Sequence, residues 1–107
     1  MMITYEEFRK LEIKVAKIEE VTAHPNADRL YVLKINLGDT QKQIVAGIRN
    51  YYQPEESVGK QIAVIANLEP AIIRGVESQG MLLAASDENG IAVLIPQREV
   101  KTGSIVK

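Results

Sequence analysis

Residues 61–85 read Gln61-Ile62-Ala63-Val64-Ile65-Ala66, then Asn67-Leu68-Glu69-Pro70-Ala71-Ile72-Ile73-Arg74-Gly75-Val76-Glu77-Ser78-Gln79-Gly80, then Met81-Leu82-Leu83-Ala84-Ala85. The two flanking runs are apolar and short, as strands buried in a barrel or sandwich are. Between them Pro70 cannot donate to a strand ladder, and Gly75 and Gly80 permit backbone geometries that other residues resist. The middle therefore reads as a loop held at both ends by core strands, where a small domain usually places its binding site. A plainer reading is a crossover whose glycines only let the chain turn. The polar content favours a site: Asn67, Arg74, Ser78 and Gln79 bring donors and acceptors that a connector does not need, and Arg74 is the fixed cation among them.

Working outward, Met81–Ser86 and Ile91–Ile95 read as strands joined by Asp87-Glu88-Asn89-Gly90, with Asn-Gly as the hairpin signal. Upstream, Leu30–Leu37 alternates with Lys34 and Asn36 on its outer face. Gly38-Asp39-Thr40 turns the chain, and Gln41–Ala46 returns, which is expected to bring Lys42 near Lys34 on the exterior. From Glu12 to Thr22 the period is two, predicting a long bent strand that runs into the turn His24-Pro25-Asn26-Ala27-Asp28-Arg29. Thr4 and Glu7 form a capping box for a short helix to Leu11, with acid in its first turn and base in its last. Its apolar face, Tyr5, Phe8 and Leu11, must pack on the main body or on a second subunit. Gly47–Gly59 has no strand pattern and is expected to hold one or two helical turns. Tyr51 and Tyr52 there are expected to plug the bottom of the core, with stacking on bases as the alternative role. The apolar tail Ser104-Ile105-Val106-Lys107 calls for a partner strand in this chain or another.

Five or six short strands with one small helical insert after the third predict an all-β fold. It is a five-stranded Greek-key OB-fold barrel with a short N-terminal helix and appended C-terminal strand elements; a small sandwich is the alternative. Residues 1–107 are expected to form a single domain.

Composition removes several function classes. There is no cysteine, so disulfides, thiolate zinc sites and cysteine nucleophiles are excluded. The lone histidine, His24, is too little for a histidine metal cluster or a triad, and is expected to be structural, with a contact to ligand as the alternative role. No cofactor is expected: neither a phosphate-binding G-x-x-x-x-G-K-[ST] loop nor a dinucleotide G-x-G-x-x-G is present. Ser78 lies in G-V-E-S-Q-G, which lacks the G-x-S-x-G spacing of a nucleophile elbow. The start is acidic and no apolar run approaches the roughly 20 residues of a membrane span, so a cytoplasmic protein away from membranes is expected. Thirteen basic residues against 14 acidic ones leave a net charge of −1, so a nucleic-acid role requires that cations gather on one face.

Four segments occur together in order: His24-Pro25-Asn26-Ala27-Asp28-Arg29-Leu30-Tyr31-Val32-Leu33-Lys34; Gln43-Ile44-Val45-Ala46-Gly47-Ile48; Asn67-Leu68 with Pro70; and Arg74-Gly75-Val76-Glu77-Ser78-Gln79-Gly80-Met81-Leu82-Leu83-Ala84-Ala85. Together they resemble the tRNA-binding domain of methionyl-tRNA synthetase, found as a C-terminal domain or a freestanding beta subunit and related to CsaA-type export chaperones. The resemblance spans nearly the whole chain. It implies an OB-fold, a homodimer formed through the terminal elements, tRNA as the partner, a synthetase catalytic chain as a possible second partner, no DNA and no catalysis. Carried over position by position, it implicates Asn67, Arg74, Ser78 and Gln79, with Lys34, Asn26 and Arg29 nearby. One departure stands out: where the family commonly has a basic residue on either side of the proline, this chain has Glu69 and Ala71. The alternative function is a chaperone binding unfolded peptides, which Ala71-Ile72-Ile73 would suit.

Overall fold

The computed structural model describes all residues 1–107. Its centre is β1 (Ile13–Ala23), the long strand, which bends where its pairing slips between Ile18 and Glu20. Before the bend, residues 13–17 pair antiparallel with β4 (Gln61–Ile65); from Lys17 onward β1 pairs with β2 (Tyr31–Asn36). A hairpin at Gly38-Asp39-Thr40 leads to β3 (Gln41–Ala46), giving the order β3-β2-β1-β4-β7, where β7 is Met81–Leu82. The sheet curls until the segment before β7 meets β3, the Gln79 N–H donating to the Gln43 carbonyl at 2.8 Å. This is the expected five-stranded barrel, all-β apart from two single helical turns.

The core follows from side-chain alternation. Ala16 and Ile18 of β1, Tyr31, Leu33 and Ile35 of β2, Ile44 and Ala46 of β3, and Ile62 and Val64 of β4 all point inward and are buried. Alternation also corrects one expectation. Lys42 lies opposite Ile35, on the inner side of β3, so it turns away from Lys34 and donates from Nζ to the Ala66 carbonyl at 2.6 Å. Lys34 faces Gln43 instead.

The N-terminal capping box forms as read: Thr4 Oγ1 accepts from the Glu7 N–H at 3.1 Å, and Glu7 Oε1 from the Thr4 N–H at 3.0 Å. The helix, α1 (Tyr5–Phe8), is a single turn, however, and its bases fall beyond it at Arg9 and Lys10. Tyr5 remains 70% exposed and Leu11 40%, so its apolar face has no complete cover within this chain. In the insert, α2 is Pro54–Ser57. The tyrosine pair divides: Tyr52 packs on the core and its hydroxyl accepts from the Val93 N–H, whereas Tyr51 is half exposed over Gly90.

The segment 67–80, expected to be a loop, contains a hairpin of β5 (Ala71–Ile73) and β6 (Val76–Ser78). Beyond β7 the predicted strand 81–86 breaks at Leu83 into β7 and β8 (Ala84–Asp87), and β8 pairs with β9 (Gly90–Val93). The turn there centres on Glu88-Asn89, one residue earlier than the Asn-Gly signal suggested. The tail finds its partner in the same chain. Ser104 accepts from the Val15 N–H at 2.8 Å and the Val106 N–H donates to Ile13 at 2.8 Å, so residues 103–106 continue the edge of β1 that β2 leaves free.

Candidate functional site

The β5–β6 hairpin closes through Arg74 and Gly75, with φ of 52° and 88°. Two consecutive positive φ values are what a tight two-residue hairpin turn needs, and they match the twist of its strands. Glycine adopts this geometry freely. An arginine there carries a penalty of roughly 1–2 kcal/mol. Contacts with the His24–Leu30 turn help to hold Arg74 in place: its Nη2 donates to the Asn26 carbonyl at 3.1 Å, while Asn26 Nδ2 donates back to the Arg74 carbonyl at 3.2 Å.

Beneath this joint lies His24, 3% exposed. Its Nδ1 accepts the Asn26 N–H at 2.9 Å, which leaves the ring hydrogen on Nε2 to donate to the Ile73 carbonyl at 2.9 Å. The imidazole is thus a rivet between turn and hairpin. Arg49, half-buried after β3, reaches the same turn and donates from Nη1 to the Ala27 carbonyl at 3.3 Å. Arg29, on the same turn, stands exposed with no side-chain hydrogen bond or ion pair of its own.

The remaining residues singled out in the sequence occupy other roles. Ser78 is 4% exposed; its Oγ accepts from the Val45 N–H at 2.9 Å and donates to the Gly80 carbonyl at 3.0 Å. Gln79 Oε1 accepts from the Gln43 N–H at 2.9 Å. The two side chains therefore stand in for a neighbouring strand along the edge of β3 and seal the barrel. Ser78 cannot reach the surface as a ligand group, while Gln79 keeps its amide donors free. Gly80 belongs to the same seam, because a Cβ there would sit 2.8 Å from the Ile65 carbonyl. Asn67 ties down the segment after α1, accepting from the Glu12 N–H and donating to the Lys10 carbonyl at 2.8 and 2.7 Å.

Lys34 is exposed and paired with Glu20 at 3.6 Å, both side chains more than half exposed, so the pair is weak and easily exchanged. It lies across from Gln43, whose Nε2 donates to the Glu77 carbonyl at the foot of the hairpin. The structure thus brings Asn26 and Arg74 together, with Arg29 exposed on the same turn and Lys34 exposed on β2. It seats Ser78 and Gln79 below them and sends Asn67 to the α1 side.

One feature was missed in the sequence. Arg49 sits in a stretch without periodicity, where nothing marks it. Ile72, named in the sequence for its apolar run, is 69% exposed on the hairpin. No group of three or more His, Cys, Asp or Glu side chains is placed to hold a metal. A cleft of about 420 Å³ opens elsewhere, between α2 and residues 95–99, over Ile18, Ile62 and Leu82.

Comparison with known proteins gives a consistent set of likenesses. The family model described as "Putative tRNA binding domain" matches residues 13–105. A methionine-tRNA ligase of Thermococcus kodakarensis is 55% identical over 105 residues, which are 98% of this chain but 14% of that protein. The chain therefore spans about a seventh of that relative's length. Among solved structures, a MetRS related protein from Pyrococcus horikoshii superposes with a TM-score of 0.93 at 32% identity, covering 100% of this chain and 99% of the other. A CsaA chaperone protein from Picrophilus torridus gives 0.92 at 33% identity, covering 99% and 100%.

Proposed function

Because the chain belongs to the tRNA-binding domain family, we propose that it is a non-catalytic module that holds tRNA by shape and backbone charge in the cytoplasm. It serves a methionyl-tRNA synthetase, as a beta subunit or accessory domain. The observation that carries this reading is the joint between Arg74 and Asn26. A guanidinium held at the tip of a rigid hairpin, beside an exposed turn bearing Arg29, presents charge to a phosphate backbone with little ordering left to lose. Lys34 and the free amide of Gln79 extend the contact face along the barrel, and Asn67 and Ser78 act by holding its frame.

The module works as a homodimer. Tyr5 and Ile105, each 70% exposed, and Leu11, 40% exposed, belong to the terminal elements and leave apolar surface that a second copy covers. A dimer offers two copies of the Arg74 hairpin to one tRNA, and such linkage multiplies two weak affinities through effective concentration. With Glu69 and Ala71 in place of bases beside Pro70, each hairpin alone binds weakly.

The test is binding of unfractionated tRNA across a salt series. Saturable binding with a steep negative slope is expected. Arg74→Ala should weaken it while the variant stays folded; an unchanged affinity counts against the proposal. Ile72 favours one second reading, a chaperone that takes unfolded peptides, since an exposed isoleucine suits an apolar client. Suppression of a client's aggregation at substoichiometric chain, with no tRNA binding at low salt, would establish that reading instead.

A further inference from the structure

We infer that Arg49 and Arg29 act with Arg74 as a three-armed clamp for phosphodiester oxygens, assembled around the peptide units of Asn26 and Ala27. The inference rests on the tRNA reading and adds a residue that neither the hairpin nor the sequence motifs contain.

Two consecutive carbonyls of one turn each receive a single guanidinium N–H, Asn26 from Arg74 at 3.1 Å and Ala27 from Arg49 at 3.3 Å. The two guanidinium groups are thus anchored on consecutive residues of one turn, whose Cα atoms lie about 3.8 Å apart. A guanidinium has five N–H donors. One from each is used on the turn, and the rest remain for a ligand. Arg29, on the same turn, has all of its own available, because no hydrogen bond engages its side chain.

None of the three forms an ion pair with a carboxylate. Asp28 in the turn and Glu77 on β6 are both exposed and form no ion pair. On a chain of net charge −1, two arginines anchored on one turn that itself carries a third, exposed arginine meet the condition that composition set for a nucleic-acid face. The ligand chemistry follows from the fork: planar paired donors match the two non-bridging oxygens of a phosphodiester better than any neutral group.

The experiment measures unfractionated tRNA binding to the wild type and to Arg49→Ala, Arg49→Lys and Arg29→Ala between low and high salt. Each alanine should remove about 0.9 from the slope of log affinity against log salt, so that affinity at 0.1 M falls roughly eightfold relative to a 1 M reference. Arg49→Lys should keep the slope and lose only part of the affinity. Weaker binding by Arg49→Ala with the slope intact, or no change at all, would mean that Arg49 merely pins the turn, and the clamp would be overturned. Arg29→Ala has no hydrogen bond to break, so it decides the matter should Arg49→Ala unfold: an unchanged slope there also overturns the clamp. Failure of the wild type to bind tRNA at the lowest salt would instead remove the tRNA reading on which the clamp stands.

Discussion

Arg74 separates binding from stability at a single position. Its left-handed backbone costs what its side-chain contacts help to offset, so glycine there removes the charge and the strain together. Arg74→Gly is expected to lose tRNA affinity while urea unfolding shows stability unchanged or higher by up to about 1 kcal/mol. Ser78 should behave in the opposite sense. Ser78→Ala leaves the buried Val45 N–H without its acceptor and should lower unfolding free energy by about 1–3 kcal/mol. Any tRNA deficit in that variant should follow the fraction unfolded. The sequence could show that Ser78 and Gln79 were chemically equipped, but not that their hydrogen-bonding atoms face β3. A hydroxyl aimed at a strand edge and one aimed at a ligand look alike until the register of the barrel is known. His24 was readable as structural because one histidine supports little else, though its two bonds join segments far apart in the chain.

The β5–β6 hairpin is the element that most distinguishes this chain from what its sequence suggests. Its strands are three residues each, and its turn is Arg-Gly rather than Asn-Gly, so neither length nor turn chemistry announced it. Longer elements were legible for physical reasons. β1 and β2 alternate over six or more residues, β3 is the return of the Gly38-Asp39-Thr40 hairpin, and the capping box of α1 is a local motif that needs no tertiary partner. Lys42 was misplaced because a lysine stem can run along the barrel interior and deliver its ammonium to a carbonyl at the mouth, a path that pattern reading does not foresee. The start of the hairpin, at Ala71, and the residues just before it also carry the departures beside Pro70. Glu69→Lys with Ala71→Lys should raise tRNA affinity and steepen the salt slope by roughly one unit per added contact, measured in the same titration. A slope unchanged by both lysines would place the phosphate path away from this arm.

For the molecule as a whole, many of the exposed apolar residues lie in the terminal segments and just after β9, with Leu94 and Ile95 45% and 65% exposed. Sedimentation equilibrium should give twice the 11.9 kDa chain mass, and Leu11→Asp with Ile105→Asp should yield folded monomers with weakened tRNA binding. Monomers in the wild type would remove the avidity argument. The tail has a further consequence, and it concerns time. β2 reaches β1 across a short turn, but residues 103–106 must return from the other end of the chain to the start of β1. Closing so long a loop comes late in folding, since its entropy must be met before the new contacts stabilise anything. On the ribosome, β1 emerges early and keeps part of one edge bare until residue 104 has been added. For that interval the nascent chain offers an open strand to any passing strand, and the speed of translation through its second half sets how long that exposure lasts.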